Sequence, residues 1–181
     1  MFMSLDNFLL YLLFSLPALI LGLWAQARVH STYTKFSQVR LGSGRTGAQI
    51  ARRMLDVHGL RHIGVEQVNG LLTDHYDPVK KILRLSSQNY QGTSLAAASI
   101  AAHEAGHALQ HQEGYAPLLL RSAMVPMVQF GSWLGPLVFL VGFLLAGLIG
   151  HTVAWIGVLL FAGVAAFALI TLPVEFDASR R

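Results

Sequence analysis

Hydrophobic positions form two long runs, separated by a stretch in which polar and apolar residues alternate over short distances. The first run, residues 8–25, contains no charged side chain. Eighteen helical residues extend about 27 Å, which is enough to cross the hydrocarbon layer of a bilayer. The second run, residues 122–174, lacks Lys, Arg, Asp and Glu and is long enough for two spans. We therefore predict three transmembrane helices, at 8–25, 128–149 and 153–173, with a turn at Gly150–Thr152.

The distribution of basic residues predicts the orientation of these helices. All 13 Lys and Arg residues lie within residues 26–121 and 174–181. The positive-inside rule places such segments in the cytoplasm and the N-terminus outside. A cleaved signal peptide is the alternative for residues 8–25, but such a peptide needs a basic start, and residues 1–7 contain no Lys or Arg.

The composition agrees with a membrane protein and excludes other classes. Hydrophobic residues make up 54% of the chain and charged residues 12%, against about 25% charged residues in soluble domains. This balance excludes a disordered protein and a nucleic-acid partner, and it makes the lipid bilayer the first expected partner. The absence of cysteine excludes disulfides and thiolate metal sites.

The polar stretch predicts a small domain of mixed α and β structure. Its elements are a helix capped by Thr46 and ending near Val57, strands at 63–65, 71–73 and 82–85, a turn at 74–78, and a helix from Ser94 to about Gln110. The chain is thus divided into an N-terminal anchor (1–27), a cytoplasmic domain (28–121), a transmembrane hairpin (122–174) and a cytoplasmic segment (175–181).

The second of these helices carries the motif H-E-A-G-H at residues 103–107. His103 and His107 are four positions apart, so their imidazoles lie one turn apart on one helix face. This spacing allows both to bind one zinc ion at about 2.0–2.1 Å. Glu104 lies beside the first histidine, where its carboxylate can act as general base on a water that the metal activates.

A catalytic zinc site needs a third protein ligand and one open position. Glu175 is the first candidate, because the two spans between it and the motif return the chain to the same side of the membrane. Asp177, His111 and His75 are the alternatives. His111 lies one turn further along the helix and is poorly placed to reach the same ion, and Asp177 is better placed to orient a ligand histidine.

Several segments resemble the YugP-type membrane zinc metallopeptidases of bacteria, and the resemblance covers essentially the whole chain. They are Gly70–Pro78, Leu83–Ser86, Ser94–Ala97, Ala101–Gln110 and Leu172–Arg181. The chain is more distantly similar to HtpX-type membrane proteases, in which a membrane hairpin also separates the zinc helix from a glutamate ligand. In those proteins the glutamate heads a Glu-x-x-x-Asp element, whereas here Ser179 follows Glu175 four positions later.

The resemblance implies a mainly α-helical protein of the bacterial cytoplasmic membrane with a zincin-like α+β cytoplasmic domain and one Zn²⁺ per chain. It also implies that family members usually continue beyond the position of Arg181 with another hydrophobic segment. In this interpretation, His75 or Tyr76 donates a hydrogen bond to the oxyanion of the reaction, or both merely form a polar turn. The strand Ile82–Ser86 is a hypothetical pairing edge for an extended substrate.

Two functions follow from these observations. The first is a gluzincin-like metalloendopeptidase that hydrolyses membrane or membrane-proximal proteins through a zinc-activated water, with Glu104 as general base and the metal on His103, His107 and Glu175. The second is a catalytically silent membrane protein with a structural zinc site. The substrate and the oligomeric state are not predicted.

Overall fold

The computed structural model describes residues 5–145 and 147–181. This part of the chain is mostly helical, with one small sheet. The helices are α1 (Leu5–Ser37), α2 (Gly47–Val57), α3 (Ser87–Gln91), α4 (Leu95–Gln112), α5 (Ala116–Leu144) and α6 (Gly147–Arg180). The strands are β1 (Gly64–Val68), β2 (His75–Asp77) and β3 (Ile82–Ser86).

The two predicted helices of the polar domain are confirmed as α2 and α4, and both begin with a side-chain cap. The hydroxyl of Thr46 accepts a hydrogen bond from the backbone of Gln49, and the Gln49 side chain accepts one from the backbone of Thr46. The hydroxyl of Ser94 accepts from the backbone of Ala97 at the start of α4. These caps satisfy backbone N–H groups that a helix leaves without an internal partner.

The three strands form one sheet in the order β1-β3-β2, with β3 parallel to β1 and antiparallel to β2. Helices α2 and α4 cover it, and apolar side chains from all three elements form the core of the domain. Fully buried members include Ala51, Leu55, Leu83, Leu85 and Ala105. The core therefore holds α4, which carries the histidine motif, against the sheet.

The predicted strand at 71–73 and the turn at 74–78 are wrong. The chain turns earlier, because Gly70 and Leu72 have positive φ angles of 114° and 55°. Strand β2 then occupies part of the predicted turn, and the Asp77 carboxylate accepts hydrogen bonds from the backbone of Val79 and Lys80 after it. Polar residues thus occupy a strand because they lie at the outer side of the sheet.

The hairpin of α5 and α6 turns earlier than predicted. Helix α5 ends at Leu144 and α6 begins at Gly147, whose φ of +80° is a left-handed conformation that glycine adopts without strain. The predicted turn at Gly150–Thr152 is wrong, because these residues are helical. Gly150 is instead needed for close packing: a Cβ there would collide with the carbonyl of Leu145.

Glycines also bring the two long helices together further along the hairpin. A Cβ on Gly131 would lie 2.8 Å from the Leu160 carbonyl oxygen, and one on Gly135 would lie 3.1 Å from that of Gly157. Gly131 and Gly135, in a small-xxx-small spacing, therefore allow the close approach of the two helices.

Helices α5 and α6 are long and apolar enough to cross a membrane by length and composition. Their large apolar side chains are mostly exposed, unlike those of a core helix in a soluble protein; Trp133, Phe143 and Leu148 are examples. The third predicted span lies within α1 and stays a prediction, and residues 1–4 of the predicted anchor lie outside the described residues. Helices continue through the predicted boundaries at 27, 121 and 174, so the division into membrane and cytoplasmic parts also stays a prediction.

Candidate metal centre

The two motif histidines and Glu175 meet where α4 and α6 cross. His103 and His107 lie on one face of α4, with ring centroids 4.8 Å apart. The Glu175 Oε2 atom of α6 lies 3.0 Å from His103 Nε2 and 3.4 Å from His107 Nε2. Within the described residues, these three side chains form the group that could hold a metal ion, with one donor atom from each and all three atoms within 4.8 Å of one another.

The glycine of the motif makes this crossing possible. A Cβ on Gly106 would collide with the backbone carbonyl oxygen of Ala178 in α6. Val174 and Ala178, one turn apart on α6, are buried at the same contact. Glu175 follows Val174 and is thereby turned toward the histidines. Gly106 thus sets the distance between the helices that supply the candidate ligands.

Replacing Gly106 by Ala is expected to lower both zinc content and thermal stability. The added methyl group meets backbone rather than a flexible side chain, and overpacking of this kind costs about 1–3 kcal/mol. Zinc per chain and the unfolding temperature in detergent are the measurements. Gly163→Ala is the matched control, because a Cβ on Gly163 meets nothing within 4 Å. Unchanged zinc content in Gly106→Ala would show that the ligands do not depend on this close crossing.

The buried side chain of Gln110 orients His107. Its Nε2 donates to the Val174 carbonyl and to Asp177 Oδ2, each at 2.8 Å. The Oε1 atom must then be the acceptor that faces His107 Nδ1 at 2.9 Å. His107 therefore carries a proton on Nδ1 and presents the Nε2 lone pair to the site, which is the arrangement a metal ligand requires.

Ser179 orients the other histidine. Its hydroxyl lies 3.0 Å from His103 Nδ1. When the hydroxyl accepts the proton of that nitrogen, the lone pair of His103 Nε2 faces Glu175. Glu175 and Ser179 are one helical turn apart on α6. The position four residues after the glutamate thus contacts a ligand histidine even though it is serine in this chain.

The spacing of the donor atoms fits a small divalent cation. Tetrahedral ligands at about 2.0–2.1 Å from one ion lie about 3.3–3.4 Å from each other, close to the 3.0 and 3.4 Å between Glu175 and the imidazoles. Burial would lower the pKa of His107, but hydrogen bonds with Glu175 and Gln110 outweigh this effect and raise the pKa above its usual value. Two imidazoles with one carboxylate suit Zn²⁺.

Glu104 lies beside this group in a largely buried position. Only 8% of the residue is exposed. Burial raises the pKa of its carboxyl group above the usual value, although the nearby imidazoles of His107 and His103 act to lower it. Glu104 lines a cavity of about 280 Å³ together with the three candidate ligands. A carboxylate in such a cavity is suited to exchange protons with a substrate.

The other sequence-predicted candidates have different partners. Asp177 does not touch a ligand histidine and acts on His107 through Gln110. His111 Nδ1 pairs with the Tyr76 hydroxyl at 2.9 Å. His75 lines the cavity, but its Nδ1 contacts the Thr73 carbonyl at 2.8 Å and its Nε2 faces an arginine nitrogen at 3.4 Å.

The sheet presents a different edge to the cavity from the one predicted. Strand β3 is central and paired on both sides, so the hypothesis that Ile82–Ser86 pairs with a substrate is wrong. Strand β2 is the outer strand, and its residues His75 and Tyr76 line the cavity. An extended peptide that adds to the sheet at this site would pair with β2.

The contacts that three residues make at this site were not predicted from the sequence: Gln110, Ser179 and Arg121. Gln110 lies three positions after His107, and Ser179 four after Glu175, so helical spacing alone was a usable signal. Arg121 was visible as the last cation before the apolar run. Its guanidinium Nη2 lies 3.5 Å from Glu175 Oε1, on the side away from the histidines.

A histidine pair on one helix with a glutamate from a later helix is a candidate metal centre of the kind expected in a zinc peptidase. Residues 11–181 match the protein family described as "Putative neutral zinc metallopeptidase". The chain is 50% identical over 173 residues to "Putative membrane protease YugP" of Bacillus subtilis (strain 168), a match that covers 96% of this chain and 76% of that protein. No solved structure matches the chain significantly. The protein belongs to this neutral zinc metallopeptidase family.

Proposed function

We propose that the protein is a membrane-embedded zinc endopeptidase. The single observation that carries the proposal is the convergence of the two motif histidines with Glu175, beside a buried Glu104 that bears no ligand role. A structural zinc site has no use for a carboxylate at that position. Membership of a metallopeptidase family supports the same conclusion.

In the proposed reaction, three residues would hold the metal and Glu104 would transfer the proton. His103, His107 and Glu175 would hold Zn²⁺, which when bound supplies Lewis acidity and makes a water more acidic. Glu104 accepts the proton of the attacking water as its oxygen bonds to the peptide carbon. Glu104 then delivers that proton to the leaving nitrogen as the C–N bond breaks, so that a carboxylic acid and an amine form.

We infer a substrate that is itself in or next to the membrane. One wall of the cavity consists of Leu118, Arg121 and Ser122, at the start of the membrane-spanning candidate α5. The proposed topology has three spans in the cytoplasmic membrane, the third being α1, with the N-terminus outside and the site on the cytoplasmic side. Protein segments that emerge from the bilayer would therefore reach this cavity first.

Removing the metal is expected to abolish hydrolysis reversibly. The measurement is cleavage of fluorescein-labelled casein by the detergent-purified chain after dialysis against a chelator, and again after addition of one equivalent of Zn²⁺. Loss followed by recovery supports the peptidase. Full zinc occupancy without zinc-dependent cleavage would instead indicate the silent protein with a structural metal.

A further inference from the structure

Arg121 has more hydrogen-bonding capacity than the protein uses. It lies on α5, close to where the hairpin leaves the polar domain, and lines the same cavity as the candidate ligands. Its Nε atom is buried and has no hydrogen-bond partner among the described residues. Its closest acidic contact, Nη2 to Glu175 Oε1, is 3.5 Å, which is long for a hydrogen bond. A buried donor without an acceptor is unfavourable, and 32% of the Arg121 side chain remains exposed, so the guanidinium is not fully enclosed by the protein.

The two cavity-lining residues that the sequence suggested as oxyanion donors, His75 and Tyr76, already have partners. The Tyr76 hydroxyl pairs with His111, and both ring nitrogens of His75 have partners within the domain. Arg121 is the one Lys or Arg among the cavity-lining side chains of the described residues. The two residues that the sequence suggested for oxyanion binding are thus engaged elsewhere, whereas a permanently charged guanidinium faces the same space.

We propose that Arg121 is a catalytic residue that donates a hydrogen bond to the carbonyl oxygen of the scissile peptide. This inference rests on the proposed peptidase function. Negative charge grows on that oxygen as water adds to the peptide carbon, and a fixed cation in a partly buried cavity favours that charge more than the neutral carbonyl. The guanidinium lies beside the candidate metal centre, 3.5 Å from Glu175 Oε1, and its other N–H groups are left for the substrate.

The alternative role, positioning Glu175 for the metal, predicts different behaviour. A positioning residue would change zinc affinity, and loss of such a partner typically costs 10–100-fold. The 3.5 Å between Arg121 Nη2 and Glu175 Oε1 is too long for a strong hydrogen bond that would fix the carboxylate in place. We therefore expect Arg121→Ala to bind zinc within about threefold of the parent, a difference far below that range.

Binding of a tetrahedral mimic tests the proposal without requiring hydrolysis. The probe is a phosphinic pseudotetrapeptide of alanine and phenylalanine, in which a PO₂⁻ group replaces one peptide bond. Calorimetry on the zinc-loaded detergent-solubilised chain would compare the parent with Arg121→Ala, Arg121→Lys and the control Arg53→Ala, an exposed arginine on α2. We expect probe affinity to fall about 10²–10³-fold in Arg121→Ala, to fall less in Arg121→Lys, and to stay unchanged in Arg53→Ala.

The outcomes separate this inference from the proposed function. Equal probe affinity in parent and Arg121→Ala, no probe binding by the parent, or a parallel loss of zinc in Arg121→Ala would each overturn it. The titrations are made with two forms of the probe, one with a free C-terminal carboxylate and one with an amidated C-terminus. A loss of affinity seen only with the free carboxylate would also overturn the inference, because Arg121 would then bind that carboxylate. Loss of affinity for both probes without casein cleavage by the parent would support Arg121 and contradict the peptidase. If the parent cleaves casein, we expect Arg121→Ala to lower kcat and to leave KM nearly constant.

Discussion

Replacing Glu104 by Gln is expected to lower peptide hydrolysis by about 10²–10⁴-fold while zinc remains bound, because general base catalysis contributes a factor of that size. The amide has nearly the same shape as the carboxyl group but cannot accept the proton of the attacking water. Glu104 is buried next to His103 and His107 without being one of the three grouped donors. The measurements are casein cleavage and moles of zinc per chain.

Glu66→Gln is the matched control for this variant. Glu66 lies on β1 with its side chain exposed, and its carboxylate is 3.6 Å from a guanidinium nitrogen of Arg84. Parental activity is expected there. Zinc loss on Glu104→Gln would contradict its assignment as the base, and retained cleavage would show that another group accepts the proton.

Replacing Glu175 by Ala is expected to reduce zinc content from about one per chain to a small fraction. Two imidazoles remain, but the carboxylate that lies 3.0 and 3.4 Å from them is gone. The loss in affinity should exceed the 10–100-fold that removal of a supporting partner costs, because a ligand itself is removed. Zinc content by atomic absorption, before and after exposure to a graded series of chelators, is the measurement.

Glu175→Gln separates ligation from packing in this experiment. The amide retains the size of the side chain beside buried Val174, so the helix crossing is expected to survive while zinc is lost. Glu66→Ala should hold zinc like the parent. If Glu175→Ala retained one zinc per chain, the third ligand would have to be Asp177 or a histidine, with a rearrangement of the contacts that Gln110 and Tyr76 make.

The features that the sequence made predictable are those with a local or topological cause. Thr46 and Ser94 cap their helices because their hydroxyls reach the backbone three positions later. His103 and His107 share a face because they are four residues apart on a helix. Glu175 is the first candidate for the third ligand because two spans would return the chain to the side of the motif, and the structure places it beside both histidines.

The features that escaped prediction depend on packing between distant segments. Strand β2 forms where a polar segment meets β3, so no apolar alternation marks it. Gly150 resembles a turn residue, but its missing side chain serves the helix contact with Leu145. Gln110 and Arg121 are ordinary surface residue types in sequence. Their importance appears only when α6 places a backbone carbonyl and Glu175 next to them.

The separation of the candidate ligands along the chain also determines when the site can first exist. His103 and Glu175 are 72 residues apart, and translation proceeds at about 5–20 residues per second. Glu175 therefore leaves the ribosome about 4–14 s after His103, with α5 and most of α6 synthesised in that interval. A nascent chain that has not yet produced its second hairpin helix lacks a full ligand set. In the proposed peptidase, the order of synthesis would therefore delay activity until both hairpin helices have been made.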